Sequence, residues 1–287
     1  MTRKTFVFLL LLGLAQAAAQ ETRIAVDVRM VEVYATVLDR QGRFVDQLGK
    51  DKFRVSDNGV LQLVTAFESE GGAISCALLI DTTGSMQAAL PSVKNSARRF
   101  IDEMRPEDAV AVYAFTTSLQ LVQGFTKDHA LAKQAILGLR AGGATALFDA
   151  IAQVSHEIAG RNGKKGLVVL TDGDDNSSVL HARAAIDRAK KTGVPVYTIA
   201  EGDALRSPKL LKGLEEIAVG SGAISYKAKK SSEFGSIFQN ILGEFQHTYL
   251  LAYKPPEGVK KSWRTIVVEV AESKGYKVRA KEGYYVE

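Results

Sequence analysis

Apolar and polar residues alternate from Ile24 to Val37, first at Ile24, Val26, Val28 and Met30, then in the opposite phase at Val31, Val33, Ala35 and Val37. A period of two predicts a strand, and the change of phase predicts a bulge within it. Asp39-Arg40-Gln41-Gly42 reads as a turn. Asp57-Asn58-Gly59 stands between Phe53-Arg54-Val55 and the run Val60 to Phe67, and Asn-Gly at such a place predicts a tight hairpin. The chain up to about residue 70 is therefore read as antiparallel β.

After Gly71-Gly72 the period changes. Ala77 to Ile80 is continuously apolar, as in a strand covered on both faces. Met86, Leu90, Val93, Ala97, Phe100 and Met104 recur at spacings of three and four, which predicts a helix with one buried stripe. Ala109 to Phe115 reads as the next strand, Leu147, Ile151, Val154 and Ile158 as a second helical stripe, and Leu167 to Leu170 as another strand. Ser178 is expected to cap a helix that ends at Thr192-Gly193, before a strand from Val194 to Ile199. A final amphipathic helix carries Phe234, Ile237, Phe238, Ile241, Leu242 and Phe245. The period then reverts to two in Thr248 to Tyr253, Thr265 to Val270 and Tyr276 to Ala280, separated by Pro255-Pro256-Glu257-Gly258 and Ser273-Lys274-Gly275.

Strands alternating with helices over residues 71–246 imply an α/β unit: a doubly wound, mostly parallel, Rossmann-like sheet with helices on both faces. Neither β segment, 20–70 or 247–287, is long enough to bury a core alone, because a hairpin or two is marginal in water. The two are expected to pair as a small antiparallel β-sandwich into which the α/β unit is inserted. Residues 1–19 read as a secretory signal peptide: Arg3 and Lys4, an apolar run from Phe6 to Leu14, and the small-x-small sites Ala15-Gln16-Ala17 and Ala17-Ala18-Ala19. Cleavage near Ala17 or Ala19 would place the mature protein outside the cytoplasm, secreted or periplasmic, without a permanent membrane anchor.

Composition narrows the chemistry. Of 287 residues 46% are apolar and 24% charged, with 6 prolines, so the chain is globular and neither fibrous nor disordered. The single cysteine, Cys76, excludes a disulfide framework and any multi-cysteine metal site, and is expected to be a small core residue. His129, His156, His181 and His247 show no paired spacing that would point to zinc. The formal charge of +5 is too balanced for a nucleic-acid partner, and the lysine pairs 164-165, 190-191, 229-230 and 260-261 read as solvated element ends. Trp263, with Tyr249 and Tyr253, is assigned to the β core.

Ligands of open α/β sheets bind at the carboxyl ends of the strands. Three such places stand out here: Asp81-Thr82-Thr83-Gly84-Ser85 after the first parallel strand, Gly142-Gly143-Ala144-Thr145 before the second helical stripe, and Thr171-Asp172-Gly173 after Leu167 to Leu170. All their potential ligand atoms are oxygens, which suits Mg²⁺, with Mn²⁺ or Ca²⁺ as alternatives. Singly, each reads equally well as a helix cap. Asp174-Asp175-Asn176 reads as loop polarity and capping in preference to a second cation site.

Taken together, Asp81-Thr82-Thr83-Gly84-Ser85 with Thr145 and Asp172 resembles the metal-ion-dependent adhesion site of von Willebrand factor type A domains, over about residues 75–245. The first motif there is Asp-x-Ser-x-Ser, and Thr83 stands at the middle serine, which keeps the hydroxyl but adds a methyl. The flanks, with Tyr249 to Tyr253 and Glu282-Gly283-Tyr284-Tyr285, resemble more loosely a group of secreted bacterial von Willebrand A-related proteins. The resemblance implies that Ser85, Thr83 and Thr145 contact a metal, that Asp81 and Asp172 hold it mainly through water, and that a partner protein's Asp or Glu completes the shell. It implies a cell-adhesion or protein-interaction module rather than an enzyme. The alternative is a phosphatase of the haloacid-dehalogenase type, whose Asp-Lys-Thr-Gly-Thr loop resembles residues 81–85 and would make Asp81 a phosphorylated nucleophile. The second-position lysine of that loop is replaced by Thr82.

Overall fold

A computed structural model describes residues 30–286 apart from 70, 174, 257, 259 and 272–274. Residues 1–19, expected to be a signal peptide, and the strand from Ile24 to Val28 that precedes the expected bulge lie outside the described residues, as does part of each turn near 257 and 273.

The described residues form two four-stranded antiparallel sheets and one six-stranded sheet. The first antiparallel sheet has the order β13-β1-β11-β4, with β1 Val31–Leu38, β4 Val64–Glu68, β11 Thr248–Tyr253 and β13 Lys277–Ala280. The second has the order β14-β12-β2-β3, with β2 Phe53–Asp57, β3 Val60–Gln62, β12 Trp263–Val270 and β14 Gly283–Tyr285. Strands from the two ends of the chain alternate in the first and meet once, at β2 and β12, in the second: β1 pairs with β11 from Val31↔Tyr253 to Thr36↔Thr248, and β2 pairs with β12 from Asp57↔Ile266 to Phe53↔Val270. Neither sheet exists without both segments. Their inner faces enclose one core of Val33, Val55, Tyr249, Leu251, Tyr253 and Ile266.

The Asn58-Gly59 turn forms as expected, with both residues at positive φ, the backbone that an Asn-Gly hairpin requires. The run after it does not stay one strand. Leu63 breaks it, β3 continues the hairpin in one sheet, and β4 crosses to the other.

The larger sheet has the order β10-β9-β8-β5-β6-β7. Its strands are β5 Ile74–Asp81, β6 Ala109–Phe115, β7 Leu119–Thr126, β8 Lys164–Thr171, β9 Val196–Glu201 and β10 Ser225–Ala228, and only β7 runs antiparallel to its neighbour. Helices α1 Leu90–Glu103, α2 His129–Gly138 and α6 Phe234–His247 cover one face. The other face is covered by α3 Leu147–Ala159, α4 Ala182–Thr192 and α5 Pro208–Gly220. Every residue of β5, β6 and β8 is buried, as the apolar runs within them, Ala77 to Ile80, Ala109 to Phe115 and Leu167 to Leu170, indicate. The fold is thus α/β with a mostly parallel, doubly wound sheet, accompanied by two antiparallel sheets.

Three details differ from expectation. The stripe from Met86 to Met104 is broken, because Pro91 starts α1 afresh and Met86 belongs to a short 3-10 turn, Gly84–Gln87. Ser178 does not cap α4, whose N-cap is His181; its hydroxyl accepts instead from the Asp149 amide of α3. Lys164 and Lys165 are not solvated, each being only 3% exposed. Their ammonium groups reach the seam with the small sheets, Lys164 donating to the Ser69 carbonyl at 2.6 Å and Lys165 pairing with Glu32 at 2.8 Å. Tyr34, Thr36 and Glu244 add bonds across the same seam.

Asp57, fully buried, accepts from Arg264 Nε at 2.6 Å, Tyr253 Oη at 3.0 Å and Tyr284 Oη at 2.8 Å, joining β2, β12, β11 and β14. Asp57→Ala is expected to lower the unfolding free energy by about 3–5 kcal/mol, since it strands the Arg264 charge and two phenols; urea denaturation measures this. Lys281 is buried at the seam, and burial lowers its pKa to about 8, with Glu32 opposing and Lys165 reinforcing the shift. The unfolded chain then binds the extra proton between pH 8 and the ordinary lysine value, so stability from this group rises with pH across that window. Lys281→Met is expected to be the more stable protein at pH 7, with the gap to wild type closing above pH 8 in paired melts.

Candidate site at the strand ends

The order of the large sheet reverses on either side of β5: β6 follows it on one side, and β8 returns to the other. Such a switch point leaves a crevice at the carboxyl ends of the two strands. Asp81, the last residue of β5, and Asp172, the first after β8, lie there.

Asp81 is fully buried. Its Oδ1 accepts from the Thr83 amide at 2.9 Å and its Oδ2 from Thr171 Oγ1 at 2.7 Å. Thr83 Oγ1 is 3.1 Å from Ser85 Oγ, which donates to Asp172 Oδ1 at 2.8 Å. Thr145 comes in beside them: a Cβ built on Gly173 would be 3.6 Å from Ser85 Oγ and 3.6 Å from Thr145 Oγ1. All five residues singled out in the sequence, Asp81, Thr83, Ser85, Thr145 and Asp172, therefore gather at one place. Thr171 also belongs there, since it holds Asp81, as does Glu201 at the end of β9, which is 8% exposed and lies close enough to Asp172 to feel its charge.

Backbone ties fix the loops. The Gly142 amide donates to the Thr82 carbonyl at 2.8 Å, the Gly84 amide to Gly143 at 3.2 Å, and the Ala146 amide to Thr116 at 2.8 Å. Gly143 has φ +84, and a side chain there would press on Thr116. From the third loop, Asn176 Oδ1 accepts from the Thr145 amide at 2.9 Å, and Asp175 Oδ2 from the Phe148 amide at 2.8 Å. Asp175 and Asn176 thus cap α3 from a distant loop, the capping role that their loop polarity predicts. Asp174 lies outside the described residues.

Burial raises the pKa of Asp81 against the bonds from Thr171 and Thr83. Burial also raises that of Asp172, opposed by Ser85 and reinforced by Asp81 and Asp203. Among the described residues, no basic side chain is hydrogen-bonded to either carboxylate. Among the described residues, no three His, Cys, Asp or Glu side chains cluster as metal ligands. A cation at this place would therefore rely on hydroxyl oxygens as well as carboxylates.

Residues 76–174 match the family model of the von Willebrand factor type A domain. The match spans the loops of Asp81, Thr145 and Asp172. By structure the chain is similar to a von Willebrand factor type A protein from Catenulispora acidiphila, at 14% identity and TM-score 0.52 over 90% of this chain and 74% of that one. It is also similar to proximal thread matrix protein 1 of the mussel byssus, at 19% identity and TM-score 0.54 over 66% and 51% of the two chains. A third similarity is to the von Willebrand domain of Mfa5, a type V pilus tip protein from Porphyromonas gingivalis, at 16% identity and TM-score 0.50 over 61% and 96%. At these identities the likeness is one of type A fold. No curated protein matches the chain in sequence.

Asp175→Ala is expected to cost about 1–2 kcal/mol, the usual loss of a helix cap, and to increase amide exchange at Phe148. Hydrogen exchange followed at α3 checks it.

Proposed function

We propose that the chain is a metal-dependent protein-binding module that holds Mg²⁺, or Mn²⁺ or Ca²⁺ in its place, at the ends of β5 and β8 and captures an acidic residue of a partner protein. The convergence of the Ser85 and Thr145 hydroxyls beside Gly173, with Ser85 bonded to Asp172, carries this reading. The donor set fits a hard cation: every side-chain donor is oxygen, and among the described residues no base is hydrogen-bonded to either buried carboxylate. Thr83, Ser85 and Thr145 would contact the metal, and Asp81 and Asp172 would anchor it from behind. Bound there, the cation supplies a positive centre only partly neutralised by its donors, which favours an outside carboxylate.

The pilus-tip and byssal proteins that share the fold are assembly or matrix proteins by name, in keeping with an interaction role outside the cell. Among the described residues no helix is long and apolar enough to cross a membrane. We place the mature protein in the periplasm or outside the cell on the strength of residues 1–19. The arrangement does not favour a phosphatase, because both oxygens of Asp81 are engaged and the carboxylate is fully buried, whereas a nucleophile must face its substrate.

Calorimetry with Mn²⁺ is expected to show one site in the mature protein, weakened about 10–100-fold in Asp81→Ala and Asp172→Ala. Equal affinity in both variants would remove the metal from the site. Hydrolysis of small phosphoesters that disappears in Asp81→Ala would replace the module with the enzyme.

A further inference from the structure

A groove of about 600 Å³ runs between the edge strand β7 and helix α2 and ends at Thr82. Two of its lining residues are joined to the candidate metal site along the chain. Thr82 precedes Thr83, and Arg140, at its rim, starts the loop that leads to Thr145. Its apolar wall includes Val122 and Leu131, the latter 52% exposed although it is a large aliphatic side chain on a helix. Gln120 and Gln134 stand exposed beside these, amides that can both donate to and accept from a peptide backbone. The one charged side chain lining it is Arg140, and no carboxylate does. Lys94 adds a second positive group nearby, its ammonium donating to the Leu137 and Leu139 carbonyls at the end of α2.

We propose that this groove receives the segment of the partner protein next to its metal-binding carboxylate: an extended, acidic segment with an aliphatic side chain against Leu131 and Val122 and a second carboxylate at Arg140. This rests on the strand-end site being a metal-dependent docking face. Charge selects the occupant, because a basic rim without carboxylates attracts an acidic peptide and repels a basic one. The apolar wall supplies contact area that a lone metal–carboxylate contact lacks.

The probe is an array of fluorescein-labelled, acetylated heptapeptides, each with two aspartates around one leucine at varied spacing, titrated by polarisation against the full mature protein in Mg²⁺. The best peptide is expected to bind about tenfold or more weakly to Leu131→Asp and to Arg140→Glu, while both variants keep the wild-type Mn²⁺ titration. Replacing the leucine by serine in the peptide should weaken binding to wild type and change little in Leu131→Asp. Failure of every peptide to bind wild type, or equal binding by wild type and both groove variants, overturns the proposal. Binding that survives chelator yet still falls in Arg140→Glu overturns the metal reading and leaves the groove as an acidic-segment site.

Discussion

The buried carboxylate of Asp81 sets the terms for the rest of the large domain. A charge at the end of a fully buried central strand needs several donors, since an unpaired carboxylate in an apolar interior costs several kcal/mol. Those donors are the Thr83 amide and the Thr171 hydroxyl, one from its own loop and one from the neighbouring strand. Satisfying Asp81 therefore bends the β5 loop back over the strand end and locks it to β8. Ser85 is carried by the same bend to Asp172, whose cost of ionisation is raised by burial and by the charge of Asp81. A cation bound there would offset that cost.

Precision in the third loop comes from elsewhere. Thr145 has its amide bonded to Asn176 and its carbonyl to the Asn176 and Ser177 amides, so it is held by the loop that follows Asp172. The segment after Asp172 thus fixes the position of the hydroxyl opposite it. The small sheets brace the far end of the large sheet, where Lys164 and Lys165 begin β8 and anchor on Ser69 and Glu32. β8 is therefore fixed at its start by the seam and at its finish by Asp81.

What was legible in the sequence follows from how each element is buried. β5, β6 and β8 are buried throughout and read as continuous apolar runs; β11 begins and ends at Thr248 and Tyr253, as its pattern indicates. β7 was not legible, because register shifts in its pairing with β6 break the period of two. Nor was α2, which buries only Ala132 and Ile136 and so has too thin a stripe to recognise. α5 carries a usable signal, Ser207 capping Leu210 ahead of Pro208, with Leu210, Leu214 and Ile217 on one face. The lysine pair at 164-165 misleads for a different reason: composition marks lysine as a surface residue, and only the strand pairing shows that its partners, Glu32 and Ser69, come from a segment about a hundred residues earlier. The site residues were legible as a set because each follows a strand or opens a helix; Thr171 was visible in the third motif but not as the partner of Asp81, and Glu201 was hidden at the end of the strand that presents it.

The choice of hydroxyls over carboxylates around Gly173 has a consequence for selectivity. A ring of carboxylates would neutralise a divalent ion by itself and would suit a closed, structural site. Three neutral hydroxyls with two carboxylates behind them would hold an ion more weakly and leave it electrophilic toward outside oxygen. On the proposed reading, affinity for the ion would be exchanged for affinity toward an anion approaching along the crevice. Because a single carboxylate is common to every protein surface, that contact alone cannot discriminate between partners. Discrimination has to come from surfaces next to the ion. The groove between β7 and α2 is lined by Thr82, next to Thr83 in the chain, and by Arg140, which leads toward Thr145. On the proposed reading the metal would supply attraction and the groove choice, with the loops held by backbone bonds and Leu131 and Arg140 left exposed beyond them.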